Sequence, residues 1–178
     1  MRRATCFLRD RRGVAAVEFA LLLPVMALLY FGAVELTQGL MTRQRVAHTA
    51  SAIGDLAAQS SSVTSSGVGD FFTAGQTIMY PYPATTLGMR ISSLTADANG
   101  NVTVTWSQAS GTLSALTKGS SVASLPSGVI SAGGSLIMAE STDTYTSAFG
   151  ELMPTPVVFS EVYYLTPRAS TQVTCADC

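Results

Sequence analysis

The sequence predicts an α+β protein: one long N-terminal helix, apolar at first and amphipathic further on, followed by a small antiparallel sheet. Three observations predict it. An almost uncharged apolar run fills residues 14–36. Apolar residues then recur at helical spacing as far as Gln59, with no proline over 36–59. Beyond residue 84 the period drops to two, in stretches divided by Gly, Pro, Asn and Ser.

The helix comes first. Over 14–36 the only charges are Glu18 and Glu35. As a helix this run is roughly 34 Å long at 1.5 Å per residue, enough for a hydrocarbon core of about 30 Å. The 178 residues leave room for one domain beside it, and the low charge content (12%) with a mean hydropathy of +0.34 owes much to this segment. Arg2, Arg3, Arg9, Arg11 and Arg12 supply five of the 10 basic residues, all ahead of the run. The positive-inside rule then predicts a cytoplasmic N-terminus and an exported remainder. A cleaved secretory signal fits poorly, because the run is too long and the nearest small-x-small triplet, Ala50-Ser51-Ala52, lies beyond Arg43 and Arg45. Past the span, Val46, Ala50, Ile53 and Ala57 fall on one helical face, so the helix continues over 14–59, with Pro24 as a candidate kink. The expected division is a basic leader at 1–13, a transmembrane helix at 14–36, its exported extension at 37–59, and an exported β-rich domain at 60–178.

The remaining elements follow in order. "SSSVTSSG" (60–67) reads as a loop, "DFFTAGQTIM" (70–79) as a short helix with Asp70 near its N-cap, and "YPYP" (80–83) as an extended break. "RISSLTA" and "NVTVTWS" flank Asn99-Gly100, a hairpin signal, and strict alternation puts Val102, Val104 and Trp106 on one face. Residues 108–134 are Gly/Ser-rich loop. Residues 135–149 and 157–167 read as two further strands joined through a proline-containing loop.

Catalytic signatures are missing from the sequence: it has no G-x-S-x-G, no P-loop, no G-x-G-x-x-G and no H-E-x-x-H. The single histidine, His48, reads as a solvated or packed helix residue. Glu140 and Asp143, three apart on a strand, should face opposite sides as solvated carboxylates rather than work as an acid/base pair. Cys175 and Cys178 are candidates for a disulfide on the exported side. A redox site there would need a βαβ context, and a zinc site would need His48 and a fourth ligand to converge on them. No cofactor or metal is expected, and the mildly acidic remainder predicts no nucleic-acid partner.

One short stretch stands out. In "RRGVAAVEFALLLP" (11–24), Glu18 lies just inside the apolar run, where a lone acid at bilayer depth would cost about 2.5–3.5 kcal/mol. A basic leader, Gly13, four small or apolar residues, Glu18-Phe19 and a long apolar helix together resemble a type IV prepilin signal of the Flp/Tad class. "VAHTASAIGDLAAQ", "NVTVTWSQ", "SLIMAESTDTYTSAFG" and "YYLTPR" resemble the TadE/TadG-like pilus assembly proteins. The resemblance implies a pilin-like fold and cleavage by a prepilin peptidase between Gly13 and Val14. It also implies assembly through Glu18 and Phe19 with other pilin or pseudopilin subunits and the Tad machinery at the inner membrane. The globular sheet points to a minor pilin or pseudopilin. An uncleaved membrane-anchored accessory protein is the alternative, and an anchored exported hydrolase is disfavoured for want of a catalytic set.

Overall fold

The computed structural model describes residues 13–122, 125–126, 128–147 and 155–178; the basic leader, with Cys6, lies outside them. In chain order the elements are α1 (Val14–Ala58), β1 (Ser62–Val63), α2 (Ser65–Ile78), β2 (Gly88–Ala96), β3 (Val102–Ser110), β4 (Ser135–Tyr145), β5 (Val157–Leu165) and β6 (Thr174–Cys175). The four longer strands form one antiparallel sheet in the order β3-β2-β4-β5, and β1 pairs with β6 in parallel. The fold is thus the expected long helix followed by an antiparallel sheet.

Helix α1 runs unbroken through Pro24 and does two jobs. Its first five turns are exposed; its last four form the core. Val46, Ala50, Ile53 and Ala57, the face read from the spacing, are all fully buried. Val46, Ile53 and Ala57 pack on the sheet beside Ile91, Ile137 and Ala139. Close approach requires a glycine: a Cβ on Gly54 would lie 2.6 Å from Leu165 Cδ1 and 2.8 Å from Ala139 Cβ. Helix α2 then covers α1 from another side, burying Val68 and Phe72 in the same core.

Several local expectations need correction. The helix expected over 70–79 begins at Ser65, and its N-cap is Thr64, whose hydroxyl accepts from the Gly67 amide; Asp70 sits exposed inside it. The reason is tertiary. Burial of Val68 and Phe72, with the Asp177 carboxylate accepting the Ser65 amide 2.8 Å away, offsets the poor helix propensity of the Ser/Gly stretch. Part of the supposed loop, Ser62–Val63, is strand β1. "YPYP" is a turn rather than an extended break, closed by the Tyr82 amide on the Met79 carbonyl.

The β2–β3 hairpin turns where Asn99-Gly100 predicts, with Gly100 at φ 83°. The Asp97 carboxylate accepts the Asn99 and Asn101 amides and the Asn101 side chain, and the last of these bonds chiefly holds it below the usual carboxylate pKa. Strict alternation fails one turn further on. The register shifts between Ser93 and Leu94, a β-bulge, so Trp106 opposes Ser93 while Val104 opposes Leu94. Trp106 therefore joins the helix-side core, and Val104 and Val102 turn to the opposite face with Leu94, Leu136 and Met138. Buried there, the indole donates to the Val173 carbonyl, 2.8 Å away. That bond ties the C-terminal tail to the sheet. Arg168 adds a second tie, its amide bonding the Ala58 carbonyl and its guanidinium pairing with Asp55 at 2.7 Å.

Candidate functional site

The residues singled out by sequence lie together at the start of α1. Gly13 occupies the N-cap position with φ −81° and no side-chain cap, so the first amides of the helix have no side-chain acceptor there. Val14 and Glu18 are one turn apart and share a face, while Phe19 opens a second stripe with Leu23, Met26, Ala27, Tyr30 and Phe31. All four of Gly13, Val14, Glu18 and Phe19 are exposed. None of the most apolar stretch of the helix is buried by the protein. Water is a poor solvent for such a surface, at about 25 cal/mol for each Å² left exposed. Something apolar must cover it.

Farther along, the only other acid of the apolar run is treated differently. Glu35 is 3% exposed and accepts a hydrogen bond from the Tyr145 hydroxyl at 3.2 Å. Burial, and then this carboxylate, push the Tyr145 hydroxyl above its ordinary 10.0. Sequence reading noted Glu35 only as a charge; its partner lies 110 residues away, and no local pattern announces it. Just past it, Thr37 donates to the Ala33 carbonyl and Thr42 to the Gln38 carbonyl, so each hydroxyl is satisfied within the helix. The first exposed charge is Arg43, which pairs with Glu161 of β5 at 3.0 Å.

Glu140 and Asp143 do face opposite sides of β4, but neither is simply solvated. Glu140 is paired with Arg90 on the outer face, and Asp143 is buried on the helix side, where it accepts from the Thr86 hydroxyl at 2.6 Å. Asp143 lines a cavity of about 270 Å³ with Tyr145, Thr86 and Gln38. His48 is exposed on α1. Cys175 and Cys178 are joined as a disulfide with their Cα atoms 5.6 Å apart. Asp177 stands beside them, but a disulfide has no thiolate to offer a metal, and His48 is not part of that cluster.

A helix long and apolar enough to cross a membrane, exposed at its start and locked into an α+β domain at its end, defines a class: an α+β domain carried on a membrane-anchor-type helix. The comparison with protein families adds the particular kinship. A model described as TadE-like protein matches residues 13–54, from Gly13 at the helix start to the glycine that packs on Ala139. Over this segment the chain is similar to the TadE-like family. No curated protein and no solved structure matches the chain.

Proposed function

We propose that this chain is a minor pilin or pseudopilin of a Tad-type pilus, anchored in the inner membrane by α1 with its N-terminus cytoplasmic and its sheet domain exported. A prepilin peptidase cuts between Gly13 and Val14, and the subunit then joins other pilin-like subunits through the exposed start of the helix. The observation that carries this reading is the TadE-like match over 13–54, beginning at the glycine of an exposed G-V-A-A-V-E-F helix start.

The chemistry of the cut supports the role given to Glu18. Removing the leader creates an α-ammonium on Val14, one turn from Glu18. In a bundle of offset parallel helices, the carboxylate of one subunit can meet the ammonium of the next. A charge that is costly alone becomes tolerable when paired, and the pairing specifies register. The positive end of the helix dipole adds a smaller favourable contribution.

The test separates processing from assembly. Gly13→Leu should leave the leader in place. Glu18→Val should be inserted and processed but lost from sheared pili, because breaking a buried pair costs about 3–5 kcal/mol. Glu18→Val protein recovered with pili at the normal level would contradict the role of Glu18. Full-length Gly13→Leu protein that still supports piliation would favour the uncleaved accessory protein.

A further inference from the structure

From Glu18 to Arg43 the surface of α1 carries no exposed charge. Both end residues are exposed, Arg43 with 61% of its side chain. The one acid between them, Glu35, is covered by Tyr145. Past Glu35 one face of the helix exposes large apolar side chains: Leu36 is 64% exposed, Leu40 53% and Met41 49%, while Gln38 turns toward the cavity it shares with Thr86 and Asp143. Thr37, the one hydroxyl on that side, is satisfied by the Ala33 carbonyl. This is how a hydroxyl is accommodated in a membrane helix.

The uncharged surface therefore covers residues 19–41, roughly 34 Å of helix, the same length as the 14–36 run but about 7 Å further along. Both fit a hydrocarbon core of about 30 Å. Only the shifted span keeps Glu18 out of the core, and it does so because the domain hides Glu35. Side chains of the sheet domain reach the same level. Tyr145 meets α1 at Glu35, and the Tyr82 hydroxyl lies 3.6 Å from Met41 Sδ. Tyr80, whose carbonyl accepts from Arg45, is 79% exposed. Tyrosines with an arginine just beyond the apolar band are what a lipid headgroup layer favours.

Resting on the membrane reading above, we propose that the bilayer core reaches along the exposed side of α1 from residue 19 to residue 41, rather than over 14–36, with the sheet domain packed against the other side from Glu35 onward. Tyr80 and Tyr82 then sit in the outer headgroup layer, and Tyr145 reaches deeper, against Glu35. The occupant of the Leu36–Leu40–Met41 face is lipid, continuous with the lipid around the rest of the helix. The Gly13–Val14 bond then lies in the inner headgroup layer, open to an enzyme working from the aqueous side.

The experiment uses the full chain with Cys6→Ser, leaving the disulfide intact, and single cysteines at Val14, Leu29, Leu36, Leu40 and Gln44. Each is labelled with an environment-sensitive fluorophore in phosphatidylethanolamine–phosphatidylglycerol vesicles. Nitroxide acyl chains serve as the lipid quencher and iodide as the aqueous one. Trp106 emission reports that each variant is folded. The labels at Leu36 and Leu40 should be quenched by the nitroxide as strongly as the label at Leu29, with Val14 and Gln44 quenched by iodide. Iodide quenching at Leu40 equal to that at Gln44, with Val14 quenched by the nitroxide, would overturn the proposed depth while leaving the membrane span intact. Iodide quenching at Leu29 would instead mean that the membrane reading itself is wrong. Labels at Leu36 and Leu40 shielded from both quenchers would show that a second copy covers this face, which also overturns the assignment to lipid.

Discussion

Replacing Gly54 with alanine tests whether α1 is held against the sheet as tightly as the structure has it. The added methyl would stand 2.6 Å from Leu165 Cδ1 and 2.8 Å from Ala139 Cβ. Leu165 ends β5 and its side chain can give way. Ala139 lies in the middle of β4 between β2 and β5, and its Cβ moves only with the backbone. Overpacking costs about 1–3 kcal/mol, and two contacts under 3 Å, one of them to the immovable Ala139 Cβ, put this site at the upper end, about 2–3 kcal/mol. Alanine recovers about 1 kcal/mol of helix propensity, so the expected net loss is about 1–2 kcal/mol. Gly69 is the control: it lies inside α2 with nothing within 4 Å of its Cβ position. There the same substitution should stabilise by about 0.5–1 kcal/mol. The chain has a single tryptophan, Trp106, buried in the core that both helices build, so its fluorescence reports urea unfolding of the domain. With an m-value of about 1–3 kcal/mol/M, Gly54→Ala should lower the midpoint by about 0.3–2 M. A Gly54→Ala midpoint at or above that of the unsubstituted protein, with Gly69→Ala raised as expected, would refute the tight helix–sheet contact.

Two further outcomes follow from the tyrosine and the disulfide. Because the Tyr145 hydroxyl titrates above its ordinary 10.0, the unfolded chain loses this proton first. Stability should hold up to about pH 10 and fall above it, and Tyr145→Phe should flatten that fall in urea titrations. The same substitution removes a donor from buried Glu35, at a cost of about 1–3 kcal/mol near neutral pH, and an alkaline slope unchanged by it would argue against burial of Tyr145. In exported protein, maleimide without reductant should label neither Cys175 nor Cys178, and Cys178→Ala should cost at most about 2 kcal/mol, since so short a loop confers little chain-entropy stabilisation; full labelling of both would mean that the bond does not form in the cell.

What the sequence disclosed, and what it hid, divides along local and non-local physics. Helix α1 was legible almost to the residue, since apolar spacing and the absence of proline over 36–59 are local properties. So was the β2–β3 turn, where Asn99-Gly100 supplies the one backbone conformation the hairpin demands. Helix α2 was misplaced because its first turn, Ser65-Ser66-Gly67, is a poor helix former that only Thr64, Asp177 and the burial of Val68 hold in place. Trp106 went to the wrong face because a bulge at Ser93/Leu94 is set by strand pairing, which alternation cannot foresee. Strands β1 and β6, two residues each, exist only as a pair of segments 112 positions apart. At the candidate site the pattern around Gly13 and Glu18 was plain in the sequence. Glu35 was not, for its environment is made by Tyr145 from the far end of β4.

If the exposed start of α1 is cut and carried into a pilus, the intact mass of the protein in the sheared-pilus fraction will show it. The protein in that fraction should have a mass that begins at Val14. Protein confined to the membrane fraction, with a mass that begins at Met1, would contradict it.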